Sequence, residues 1–143
     1  MSYIVAKEPN LTEEFIREHS DELVDPIQWD QLSVRVKLSE SFIREFKDKV
    51  NWLSISYYQI LSEDFIIEFQ DKVNWIAISM QQVLSEEFMR KFQDKIHLRC
   101  IPCRQVLSDD FIMDFIDELN LEYLLSNRYL TADMRDYIKL LKG

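Results

Sequence analysis

Apolar positions return along this chain in a fixed order. Leu followed by Ser or Thr and then acids stands at Leu38, Leu61, Leu84, Leu107 and Leu130, each 23 residues after the last. An earlier copy opens at Leu11, 27 residues before Leu38. The four extra residues fit as Val24-Asp25-Pro26-Ile27, because Trp29 then falls 23 before Trp52. One complete unit reads Leu61-Ser-Glu-Asp-Phe-Ile-Ile-Glu-Phe-Gln-Asp-Lys-Val-Asn-Trp-Ile-Ala-Ile-Ser-Met-Gln-Gln-Val83. Aligned copies give apolar columns: Phe15, Phe42, Phe65, Phe88, Phe111 and Met134; then His19, Phe46, Phe69, Phe92, Phe115 and Ile138. Further columns hold Leu23, Val50, Val73, Ile96 and Leu119, then Trp29, Trp52, Trp75, Leu98 and Leu121, then Leu32, Ile55, Ile78, Ile101 and Leu124. Such columns are the core of a duplicated scaffold.

The pattern also predicts the elements. Ser62 is an N-cap, Glu63 and Asp64 sit in the first turn, and Phe65, Ile66, Phe69 and Val73 share one helical face. The helix has room for about three turns at most before the unit must continue. In the second half Trp75, Ile78 and Gln82 repeat at helical spacing and Asn74 can cap them, which predicts a short α or 3₁₀ helix. The rival is a short parallel strand, giving an α/β leucine-rich-repeat-like horseshoe, since 23 residues suits that family. That repeat needs Asn three places after its second apolar residue, where this chain has Ile78. The expected fold is therefore an all-α solenoid forming one repeat domain. Residues 1–10 are an N-terminal cap; 11–37, 38–60, 61–83, 84–106 and 107–129 are repeats; 130–143 is a C-terminal capping helix.

Composition narrows the functional classes. The 143 residues suffice for one ordinary domain, and 47% hydrophobic with 30% charged residues is a globular balance. One Gly and three Pro leave no glycine-rich phosphate loop. A net charge of −9 disfavours direct nucleic-acid binding and anionic membranes. No apolar run reaches membrane-spanning length, and the two cysteines make no secreted disulfide framework, so a cytoplasmic, reducing compartment is expected.

No catalytic or cofactor constellation emerges. His97, Cys100 and Cys103 would share a helical face, but no fourth zinc ligand accompanies them, and no cofactor is expected. His19 stands where other copies carry core Phe. Ten of the 26 acids occupy the two positions after a cap, where the helix dipole accounts for them. A further acidic column, Asp21, Asp48, Asp71, Asp94 and Asp117, is expected to accept backbone N–H bonds at the start of each following helix.

The string Leu-Ser-Glu-Asp-Phe-Ile…Glu-Phe…Asp-Lys-Val-Asn-Trp…Ile-Ser…Gln resembles tandem repeats in uncharacterised proteins of large DNA viruses and some bacteriophages. Its layout is also similar to the leucine-rich repeat variant, a solenoid of alternating α and 3₁₀ helices, although the Asn-Pro turn of that family is absent. The resemblance covers residues 11–143 and implies a fold and a binding role, with no catalytic residues.

The columns that vary carry the functional expectation. Leu53, Ser54, Tyr57 and Tyr58, then Ile76, Ala77, Met80 and Gln81, then Arg99, Cys100, Cys103 and Arg104, then Glu122, Tyr123, Ser126 and Asn127 are expected to face outward as one stripe. Tyr, Met, Ile and Arg are favoured in interface cores. The chain is thus read as a noncatalytic scaffold that binds a protein partner through Leu53, Tyr57, Tyr58, Ile76, Met80, Arg99, Arg104 and Tyr123. A homodimer through the same patch is a variant of this reading. The alternative is an acidic, virus-encoded decoy that occupies the basic groove of a host nucleic-acid-binding enzyme.

Overall fold

A computed structural model describes residues 10–101 and 105–143. All regular structure among the described residues is helical, and no strand occurs among them. The α/β horseshoe is therefore not supported. The chain divides into two compact units, one ending at Asn74 and one beginning at Trp75.

In the first unit, α1 (Glu13–Glu18) leads through a 3₁₀ turn (Ser20–Glu22) to α2 (Pro26–Arg35). Then come α3 (Glu40–Glu45), α4 (Trp52–Tyr58) and α5 (Glu63–Glu68). The second unit holds α6 (Trp75–Gln81), α7 (Glu86–Lys91), a 3₁₀ turn (Leu98–Cys100), α8 (Asp109–Asp114), α9 (Leu121–Leu125) and α10 (Ala132–Lys142).

Each long-half helix begins as its sequence dictates. Thr12, Ser39, Ser62, Ser85, Ser108 and Thr131 all have extended backbone, and each hydroxyl accepts the N–H three residues on. These helices are six residues long except α10, so they are shorter than the apolar face suggested. The chain then tightens: in the α5 copy, Lys72 and Val73 both donate to the Phe69 carbonyl, at 2.8 and 3.0 Å. Val73 thus reaches the core from a turn, not from the helix. Phe42, Phe65 and Phe111 are fully buried with the Ile beside each. Phe42–Phe46, Phe65–Phe69, Phe88–Phe92 and Phe111–Phe115 ring pairs recur at 4.7 Å.

Helix ends pose a problem in a chain with one Gly. The usual left-handed glycine cap is missing, and no residue among those described has positive φ. The orphan carbonyls are capped by the following copy instead. Gln59, buried, donates through Nε2 to the carbonyls of Ser33 (2.7 Å) and Val36 (2.8 Å) at the end of α2, while its Oε1 accepts Leu38 N–H (2.8 Å). Gln105 repeats this in the second unit, donating to the Gln82 carbonyl (2.7 Å) just past α6 and accepting Leu84 N–H (3.2 Å). Asn127 in turn donates to the Gln105 carbonyl at 2.6 Å.

Two more polar columns join adjacent copies. Ser56 and Ser79 bond back to the carbonyls of Trp52 and Trp75 and accept the N–H groups of Asn74 and His97, at 3.0 and 2.9 Å. Within the units Glu13, Glu40 and Glu86, each the first acid of a long-half helix, reach the next copy's cap residue. Glu40 accepts both Ser62 N–H (2.6 Å) and Ser62 O–H (2.9 Å), and Glu86 does the same for Ser108 (2.8 and 2.6 Å). Glu13 holds Ser39 likewise. This is a capping box divided between copies, the carboxylate coming from the previous unit. The helix dipole accounts for these acids only in part.

Arginines finish the joint. Arg17 lies over the Phe42 ring and bonds Glu45 at 2.7 Å; Arg44 lies over Phe65 and meets Glu68 at 2.8 Å; Arg90 lies over Phe111 and meets Asp114 at 2.9 Å. All three guanidinium groups sit 5.2 Å from the ring centre.

Candidate functional site

Asn51 and Asn120 start α4 and α9 by accepting the N–H of Ser54 and Tyr123 with their side chains. Among the described residues, none of Asp21, Asp48, Asp71, Asp94 and Asp117 accepts a backbone N–H, and all five are exposed. The expected capping by Asp is therefore corrected: the Asn three places later is better placed, directly at the helix start. Where His97 replaces that Asn there is no side-chain cap, and the α-helix shrinks to the 3₁₀ turn Leu98–Cys100. Pro102, four residues after Leu98, also has no N–H to offer the Leu98 carbonyl.

The short helices turn their Trp/Leu and Ile columns inward, and their opposite faces outward. Leu53 (56% exposed), Tyr57 (37%) and Tyr58 (55%) project from α4 in the first unit. In the second unit Ile76 (48%) and Met80 (38%) project from α6, one turn apart. Arg99 is exposed on the 3₁₀ turn and Tyr123 on α9. Arg104 lies outside the described residues.

Other members of the expected stripe are not outward. Ser54, Ala77 and Asn127 are buried. Ser54 donates its hydroxyl to Asp30, and Asn127 is committed to the Gln105 carbonyl. For Ser54 and Ala77 the reason is helical geometry: positions one and five after the Trp column face outward, while the position two after it turns back toward the neighbouring copy. Cys100 occupies that inward column and is half-buried.

The outward residues of α4 line an open groove of about 390 Å³ against α2, which packs beside it. Asp30 and Val34 of α2 form the other wall. These are the residues 23 before Leu53 and Tyr57, so the groove is built from the same two columns in adjacent copies. Extending the variable columns one copy upstream, where Trp29 already holds the register, would have found them. The Tyr57 and Tyr58 rings meet edge to face at 4.8 Å. Asp30 is half-buried, and the only bond its side chain makes among the described residues is the one from Ser54.

A second open groove, of about 560 Å³, borders the 3₁₀ turn of the second unit and includes His97, Arg99, Cys100, Asp117 and Glu118. Among the described residues no three His, Cys, Asp or Glu side chains are placed to hold one metal ion. Cys103 lies outside the described residues. His19 is half-buried at the edge of the first copy, stacked on Phe15 at 4.4 Å and bonded to Glu22 at 3.1 Å.

A further outward column escaped the sequence reading. Ile60 (75% exposed) stands just before Leu61, and Val83 and Val106 occupy the same place before Leu84 and Leu107. An apolar type in each of these copies, flanked by a buried Gln on one side and a buried Leu on the other, was the available signal. No helix among the described residues is long and apolar enough to cross a membrane. Comparison with protein families, with curated proteins and with solved structures finds nothing that matches this chain.

Proposed function

We propose that the repeats continue as one all-α solenoid and serve as a noncatalytic protein-binding scaffold of intracellular, viral type. The observation that carries this reading is the exposure of Leu53, Tyr57 and Tyr58 around an open groove. Large apolar groups held outward on a short helix are costly to leave in water and are the residue types that anchor interfaces. The fold makes no internal use of them, since Gln, Ser, Asn and Glu cap the backbone and Phe, Trp and Ile fill the core. Ile76, Met80 and Tyr123 repeat the same outward chemistry in the second unit.

The decoy reading relies on the acidic first turns. There Glu13, Glu40 and Glu86 are already bonded to Ser39, Ser62 and Ser108, which leaves Glu14 and Glu87 to act in the first and third of these, while the second carries Ser41 and has no further acid. The two readings separate in one experiment. Partners are captured on the full chain, identified by mass spectrometry, and then measured against the Tyr57→Ala/Met80→Ala variant across a salt series. The scaffold reading expects binding that survives moderate salt and is lost in the double variant. Binding that collapses with salt and ignores the double variant overturns it.

A further inference from the structure

The α2–α4 groove is chemically specific. It combines one carboxylate, Asp30, with two tyrosine rings and two aliphatic walls, Val34 and Leu53. Asp30 makes no ion pair among the described residues, although it is half-buried and accepts only the Ser54 hydroxyl. Elsewhere the protein shows what an aromatic face beside a carboxylate is used for. Arg17, Arg44 and Arg90 each lie over a phenylalanine and bond the carboxylate of Glu45, Glu68 or Asp114. Among the described residues the groove presents the ring and the carboxylate of that arrangement with no arginine in it.

We propose that this groove takes an arginine side chain of the protein partner, its guanidinium against Tyr57 or Tyr58 and bonded to Asp30. The inference rests on reading the groove as a docking surface and adds the chemistry of what docks. A planar guanidinium suits the site better than an ammonium, because it can stack on a ring and meet a carboxylate edge-on at once. Val34 and Leu53 would cover the aliphatic stem. A net charge of −9 draws a basic segment toward the protein before contact.

The test is an NMR titration of the full chain with N-acetyl-arginine amide and with N-acetyl-citrulline amide, which has a similar shape and no charge. The arginine compound is expected to shift the amides of Asp30, Leu53, Tyr57 and Tyr58 to saturation, with citrulline at least about tenfold weaker. Asp30→Asn should weaken the arginine compound about tenfold while still accepting the Ser54 hydroxyl, and an unchanged circular dichroism melt verifies its fold. Equal response to citrulline, full affinity in Asp30→Asn, or shifts scattered over Glu14, Asp64 and Glu87 without saturation overturns the proposal. If Asp30→Asn leaves arginine binding intact while Tyr57→Ala/Met80→Ala abolishes partner capture, this inference fails and the docking surface stands. If arginine binds as expected but capture ignores the double variant, the docking reading fails and the cation site stands.

Discussion

Gln59→Leu is expected to be among the most damaging single changes that leave side-chain volume nearly intact. Gln59 is 4% exposed, and its amide satisfies three backbone groups: Leu38 N–H and the carbonyls of Ser33 and Val36. Leucine fills similar space but bonds none of them. A buried polar group left unsatisfied costs about 1–3 kcal/mol. The two carbonyls lie at the end of α2, where rotation toward water can recover part of that cost. The expected loss is therefore about 3–5 kcal/mol, a large share of the roughly 5–15 kcal/mol that stabilises a domain. In thermal unfolding followed by circular dichroism this corresponds to a drop of about 10–15 °C for a chain of this length. Gln93→Ala is the control: Gln93 is exposed, it bonds only the Arg90 carbonyl in its own turn, and its loss should stay within about 0.5 kcal/mol. A Gln59→Leu melt within a degree or two of the control would refute the capping argument, because added apolar burial would then have offset all three bonds.

Glu40→Ala should cost about 1–2 kcal/mol, since it removes the carboxylate that caps Ser62 from the previous copy. A double-mutant cycle with Ser62→Ala measured by urea unfolding should show a coupling of about 0.5–1 kcal/mol; additive losses would mean that the divided capping box contributes nothing as a unit. His97→Asn should raise stability by about 0.5–1 kcal/mol by restoring the cap that Asn51 and Asn120 provide elsewhere, and a lower melting temperature would contradict the account of the 3₁₀ turn.

Periodicity made the core legible. Phe65, Ile66 and Val73 lie inside as their spacing requires, and the Ser caps appear where Ser precedes two acids. Periodicity could not tell an apolar side chain carried by a helix from one carried by the turn that follows it, so α5 ends at Glu68 although the apolar face runs to Val73. The buried Gln column was visible as letters but not as a role, because its partners are backbone carbonyls more than 20 residues away. The Asp column misled for a related reason. Its residues precede a helix start, but Asn three places later is already at the capping position, so the Asp side chains remain in solvent. At the candidate site, outward Leu53, Tyr57 and Tyr58 were legible from α4 alone, while Asp30 and Val34 stand in the same columns one copy earlier and were not followed there, because pairing of α2 with α4 is a tertiary contact.

The shortage of glycine ties the fold to the proposed docking surface. With one Gly in the chain and no left-handed residue among those described, the ends of α2 and α6 are closed by a side chain from the next copy. That requirement fixes Gln59 and Gln105 and, through them, the spacing between copies. It places no demand on the opposite face of the short helices. Leu53, Tyr57, Ile76 and Met80 can therefore differ from copy to copy without disturbing a cap, a core contact or the register. In a scaffold held by tightly specified backbone bonds, variation collects where no bond is owed, and here that is the face lined by the α4 tyrosines. Exchanging Tyr57 and Tyr58 for the Met80 and Gln81 of the next copy should accordingly leave the melting temperature almost unchanged and alter only what the groove binds.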